Sequence, residues 1–142
     1  MRLVIDANIL VSEALRQRGR ELLQHPELEL FITEKAIGEA NYELEKRLIS
    51  FQNHRNLPDS IAAALRTETF QVINSSVEVV PETEHAHLET IAQRRIPRDP
   101  DDAPTVALAL LLEADIWTND ADFLGCGVAT WTTETLLLES SN

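Results

Sequence analysis

Cysteine is nearly absent from this 142-residue chain: Cys126 stands alone. An intramolecular disulfide and a multi-cysteine zinc cluster are therefore both excluded, and Cys126 is expected to pack as a small apolar side chain. Apolar runs are short, with none near the roughly 20 residues of a membrane-spanning helix, so no membrane role is expected. The apolar stretch Leu3–Ile5 ahead of Asp6 is far too short for a secretory signal, and the expected location is cytoplasmic. Aromatic residues make up 5% of the chain, too few to suggest a base-stacking platform. No internal repeat, low-complexity tract or Gly/Ser linker interrupts it, and residues 1–142 are expected to form one domain with one sizeable core. The four histidines, His25, His54, His85 and His87, have no zinc-site spacing, and His85 and His87 are expected at the surface.

Positive charge is missing from one part of the chain. Between Asp99 and the C-terminus there are nine acids and no Lys or Arg, whereas residues 1–98 carry 15 acids against 12 basic residues. The net charge of −12 is thus concentrated in the last third. A nucleic-acid partner usually leaves a basic footprint, which this balance does not provide. Crowded carboxylates, however, repel one another and raise each other's pKa unless cations sit between them. One or two divalent ions would relieve that repulsion, so the acidity points to metal; a solvated acidic surface is the plainer alternative.

Hydrophobic periodicity supplies the frame. Leu3–Ile5 reads as a buried strand ending at Asp6, followed by helical segments broken near Gly19. Leu28–Thr33 reads as a second strand, and Thr33-Glu34 opens a long helix with Ile37, Leu44, Leu48 and Phe51 at helical spacing. A helix is expected over about 60–73, a strand over Val77–Val80, and a continuous helix over 82–95. After the proline-punctuated loop 96–102 comes the apolar helix Ala103–Leu112, with Pro104 in its first turn. Strands at Ile116–Thr118 and near Val128–Trp131 and a last helix from Thr133 complete the chain, with Trp117 and Trp131 in packed positions. This alternation predicts an α/β fold with a mainly parallel sheet of four to five strands between helical layers. Function in such folds gathers beyond the carboxyl ends of the strands.

Four acids lie at element termini: Asp6 after the first strand, Glu39 on the helix after the second, Asp102 at the start of the apolar helix, and Asp120 after the next strand, with Asp122 close behind. Each has an ordinary structural reading as turn residue, helix cap or solvated side chain. Together they form an oxygen-rich donor set of the kind hard divalent cations select, and such ions activate water and neutralise phosphate in phosphodiester hydrolysis.

The motifs resemble those of PIN domains. Val4-Ile5-Asp6-Ala7-Asn8-Ile9-Leu10 is similar to their first motif, and Ile32-Thr33-Glu34-Lys35-Ala36-Ile37-Gly38-Glu39 to the second. Arg98-Asp99-Pro100-Asp101-Asp102-Ala103-Pro104 followed by Val106-Ala107-Leu108-Ala109 resembles the third, and Trp117-Thr118-Asn119-Asp120-Ala121-Asp122-Phe123 the fourth. The resemblance implies a PIN-like α/β/α sandwich and Mg²⁺- or Mn²⁺-dependent cleavage of RNA. Many such small bacterial proteins are toxins of the VapC type, held by an antitoxin partner, and commonly dimerise. By the same resemblance Asp6, Glu39, Asp102 and Asp120 would ligate metal or orient water. Asp122 would be an accessory ligand, and Asn8 and Thr118 would support the site. Asp102 is preferred over Asp99 and Asp101 because it alone abuts the helix.

An RNA substrate requires cations near the metal. Arg16, Arg18 and Arg20 after the first motif and Arg94, Arg95 and Arg98 before the third are expected to contact phosphates; Lys46, Arg47 and Arg55 lie on or just beyond the Glu39 helix. Helices 60–73 and 103–112 are candidates for a homodimer surface. Three other readings stay open: a PIN-like nuclease in RNA maturation without an antitoxin, a non-enzymatic PIN-like binding module, and a magnesium-dependent receiver or phosphatase using Asp6. Against the last, Asn8 stands where a phosphatase needs a second Asp, and no Lys follows Lys46 to serve as the late-strand lysine of a receiver.

Overall fold

The computed structural model describes residues 1–140. Five strands, β1 (Arg2–Ile5), β2 (Glu29–Thr33), β3 (Val77–Val80), β4 (Asp115–Trp117) and β5 (Thr130–Trp131), form one sheet in the order β3-β2-β1-β4-β5. Every pairing is parallel, which requires a crossover between successive strands. Among the described residues eight α-helices accompany the strands: α1 (Ala7–Ala14), α2 (Gln17–Leu23), α3 (Glu34–Arg55), α4 (Asp59–Ser76), α5 (Glu82–His85), α6 (Glu89–Arg95), α7 (Ala103–Leu112) and α8 (Thr133–Ser140).

Strand β1 is central because its side chains are apolar on both faces: Leu3, Val4 and Ile5 are all 0% exposed. Leu3 and Ile5 join Leu30, Ile32 and Trp117 in a core with α1–α4 and α8, while Val4 joins Ile116 and Phe123 in a second core with α6 and α7. A period of two thus divides each strand between two cores. The long α3 follows the same logic at helical period. Ala36, Ala40, Leu44 and Leu48 recur every four residues as its buried stripe, and Thr33 caps it by accepting from the Ala36 N–H at 3.0 Å. Asn56, in the left-handed region at φ 50°, ends it.

The chain departs from its sequence pattern in three places. The first two helices break after Ala14, and Gly19 lies inside α2 instead of at the break. A Cβ there would sit 2.3 Å from the Glu13 carbonyl oxygen, so glycine is needed for the close approach of α2 to α1. The expected helix over 82–95 is interrupted by a 3₁₀ turn at Ala86–Leu88. That turn advances more per residue than an α-helix, so α5 and α6 can both face α7. One consequence is that His85, expected at the surface, is buried at 1% exposure, its Nδ1 3.6 Å from a Glu89 carboxylate oxygen. Finally, α7 is consumed by the core: Ala103 and Thr105–Ala109 are buried, so this helix does not offer the dimer surface its composition suggested. No helix among the described residues is long and apolar enough to cross a membrane.

Gly19→Ala tests the α1–α2 contact. Helix propensity alone favours Ala by about 1 kcal/mol, but overpacking dominates, and a net loss of about 1–3 kcal/mol is expected in urea unfolding. A stabilised variant would contradict the packing account.

Candidate active site

The strand order reverses around β1: the chain moves from β1 outward to β2 and β3, then returns to the other side for β4 and β5. Helices leaving adjacent strands at such a point diverge and leave a crevice beyond the strand ends. Asp6, Asn8, Thr33, Lys35, Glu39, Asp101, Asp102 and Asp120 line a small cavity there, of about 60 Å³. Five of the sequence-predicted site residues, Asp6, Asn8, Glu39, Asp102 and Asp120, therefore converge from four separate stretches of chain.

Asp6 is the most fixed of them. Its backbone extends the β1–β4 ladder by donating to the Trp117 carbonyl at 3.2 Å. One carboxylate oxygen caps α1 by accepting from the Ile9 N–H at 2.8 Å, and the other accepts from the Thr118 hydroxyl. The Thr118 oxygen in turn accepts from the Asp120 N–H at 2.9 Å, so one buried hydroxyl couples the ends of β1 and β4. Asp120 then holds the following turn by accepting from the Asp122 N–H at 2.9 Å. Thr118, expected to support the site, makes both of these bonds. Burial pushes the Asp6 carboxyl above its ordinary value; the hydrogen bonds from Thr118 and Ile9 oppose the rise, and the Asp120 charge adds to it.

Asp102 differs in kind. It occupies the N-cap position of α7 without making a cap hydrogen bond, and its Oδ2 is buried with no partner among the described residues. An orphaned carboxylate oxygen is costly. Its pKa is pushed up to about 7, by burial first and then by the charges of Asp99, Asp120, Asp6 and Asp122. Asp102 also belongs to a second grouping, in which one carboxylate oxygen each from Asp99, Asp102 and Asp122 lies within 4.8 Å of the others. Hard oxygen donors, mutual repulsion and an unsatisfied buried oxygen together fit a divalent cation.

The loop before α7 has three aspartates with separate employments. Asp99 accepts from the Asp101 N–H at 3.0 Å, folding the 3₁₀ turn Pro100–Asp102. Asp101 accepts from the Lys35 ammonium at 2.9 Å, and Asp102 is left facing the cavity.

The nearest cations lie on α3. Lys35 lines the carboxylate cavity, and Arg47 lines an adjoining one of about 450 Å³ that shares Asp6, Asn8 and Asp120. Arg47 was noted in the sequence only as a cation on the Glu39 helix and Lys35 was missed, although both share with Glu39 the i, i+4 ladder Lys35-Glu39-Glu43-Arg47, the signal that could have placed them. None of Arg16, Arg18, Arg20, Arg94, Arg95 and Arg98 lines these two cavities. Arg95 donates to the Cys126 carbonyl at 3.3 Å and packs on Gly127, and Arg16 lies 3.9 Å from Glu13.

A family model described as the PIN domain matches residues 4–141. The crystal structure of PAE2754 from Pyrobaculum aerophilum is similar at TM-score 0.65 and 22% identity, over 99% of this chain and 90% of that one. The structure of FitAB bound to an IR36 DNA fragment is similar at TM-score 0.57 and 14% identity, over 93% and 94%. At these identities the two structures show a shared fold. No curated protein matches the chain.

The raised Asp102 pKa has a definite sign. Between about pH 4, where an unfolded aspartate ionises, and about pH 7, the folded state holds the extra proton. This group therefore lowers stability as pH rises through that window. In chelator-treated buffer, Asp102→Asn is expected to raise Tm at pH 8 and leave it nearly unchanged at pH 4. Mn²⁺ should raise the wild-type Tm more at pH 8 than at pH 5, and an equal Mn²⁺ shift at both values would contradict the crowding account.

Proposed function

Because the chain belongs to the PIN-domain family, we propose that it is a Mg²⁺- or Mn²⁺-dependent endoribonuclease and the toxin of a toxin–antitoxin pair. The observation that carries the catalytic part is Asp102: a buried, unpartnered carboxylate oxygen in the cavity where Asp6, Glu39 and Asp120 meet. Those four residues would hold the cation, with Asp122 and Asp99 beside them on the Asp102 flank. The bound ion supplies charge neutralisation for a phosphodiester and acidifies a water that can attack it.

The protein's own contribution is positioning. Thr118 holds one Asp6 oxygen in place while the Ile9 N–H holds the other, so the Asp6 carboxylate is fixed before substrate arrives. The 3₁₀ turn Pro100–Asp102 ends on Asp102 and the 3₁₀ turn Ala121–Phe123 is capped by Asp120, and both acids line the cavity. Exposed Glu39 approaches from α3, where its carboxylate could orient a water. Lys35, tied to Asp101, keeps a positive charge beside an otherwise acidic cavity where a phosphate would come to rest.

RNA as the substrate and an antitoxin as the partner rest on the likeness of the four motifs to VapC-type proteins. The DNA named with FitAB belongs to that assembly.

Incubation of the purified protein with single-stranded RNA and Mn²⁺ tests the proposal, with DNA of the same sequence in parallel. RNA cleavage is expected, lost with a chelator and lost in Asp6→Asn. Thr118→Val, which keeps the shape but removes the coupling hydroxyl, should lower the rate about 10- to 100-fold. RNA left intact by the wild type, or cut equally by Asp6→Asn, would overturn it.

A further inference from the structure

Next to the carboxylate cavity lies a groove of different chemistry. Leu15, Leu48, Phe51 and Leu65 line a cavity of about 260 Å³ where the end of α1 meets α3 and α4, and Arg20 and Arg47 line it with them. It is joined to the acidic site residue by residue. The carboxylate cavity shares Asp6, Asn8 and Asp120 with the cavity bordered by Ser12 and Asn119, and that one shares Arg47 with the apolar groove. Arg47 lies eight residues beyond Glu39 on α3, about 12 Å along the helix axis. Resting on the nuclease reading above, we infer that this groove is a nucleoside-binding subsite that seats one unstacked base of a single-stranded RNA beside the scissile phosphate.

The chemistry of the lining selects that occupant. A base needs an apolar slot with an aromatic or guanidinium plane beside it, and its flanking phosphates need cations at the rim. Phe51 is an exposed aromatic in the groove, 42% accessible, and the Arg55 guanidinium lies 5.3 Å from its ring centroid. Arg20 is held along the wall by donating to the Ala14 carbonyl at 3.2 Å. Arg47, the residue common to both cavities, meets among the described residues only Glu43 at 3.9 Å, and its half-exposed side chain is available to a phosphate beside the carboxylate site. Two guanidinium groups, those of Arg20 and Arg47, line the apolar slot, and a third, that of Arg55, lies over the ring of Phe51, in a chain whose net charge is −12. That local reversal of sign complements a phosphodiester strand. The slot binds through one ring and its guanidinium neighbours, which is why a low aromatic content does not exclude it. It also gives Arg20, one of the sequence-predicted RNA contacts, a place on the substrate path.

Steady-state cleavage of a fluorescent single-stranded RNA octamer with Mn²⁺ tests this, using the full chain and a set of octamers each carrying one abasic residue. Arg47→Ala is expected to raise KM about tenfold, well beyond any change in kcat, with Arg47→Lys recovering part of the loss. An abasic residue at one position near the cut should raise the wild-type KM by a similar factor and add little to the KM of Phe51→Ala. Thermal melts check folding, and Phe51→Leu, which keeps apolar bulk without the aromatic face, replaces Phe51→Ala if that variant unfolds. Unchanged KM in the variants, or abasic effects that add in full, would overturn the subsite while leaving the nuclease reading intact. Variants that keep KM but change the sedimenting mass would overturn it too, assigning the groove to a protein contact. A wild type that neither cuts nor binds the octamer would remove the nuclease reading and the subsite with it.

Discussion

Repulsion between carboxylates is the interaction that organises this molecule. Asp6, Asp102 and Asp120, with Asp99 and Asp122 behind them, are held at the ends of separate elements where their like charges cannot avoid one another, and Asp102 is left with its pKa near 7 and a buried oxygen without a partner. A fold selected only for stability would not keep such a group, because its removal relieves both burial and charge. The arrangement becomes favourable when a cation enters, since the same low-dielectric surroundings that penalise the bare carboxylates strengthen their hold on a divalent ion.

The rest of the architecture maintains that tension. A five-stranded parallel sheet, buried on both faces, makes the strand ends rigid, and the reversal of strand order opens a crevice beyond β1 and β4. Local hydrogen bonds then decide which oxygens are occupied and which stay free. Asp6 has both oxygens engaged, by Ile9 and Thr118; Asp99 and Asp101 are spent on their own loop and on Lys35; Asp102 is spent on nothing. The division of labour among the three loop aspartates follows from a single 3₁₀ turn.

The fold and most of this site were legible in the sequence because they rest on short-range patterns. Val4-Ile5-Asp6 declares a buried strand with a carboxylate at its end, and Thr33-Glu34 declares a helix start; the structure has both. The convergence of Asp6, Glu39, Asp102 and Asp120 into one cavity was readable from their positions at element termini once a parallel sheet was expected. What escaped depended on packing between elements. Gly19 reads as a breaker unless the nearness of Glu13 is known, and His85 reads as a surface residue unless the 3₁₀ turn after it is known. The cations followed the same rule: the arginines close to the acids in sequence line neither cavity, while Lys35 and Arg47 on α3 line one each.

The measurement that most directly tests the central claim is calorimetric titration of the metal-free protein with Mn²⁺ at pH 6.5, repeated in buffers of different ionisation enthalpy. Asp102 is largely protonated there, so ion uptake must expel its proton, and the apparent heat should vary with the buffer. Asp102→Asn should bind more weakly and lose the buffer dependence. Absence of Mn²⁺ uptake by the wild type, or uptake that releases no proton and survives Asp102→Asn unchanged, would contradict a cation site built on crowded carboxylates.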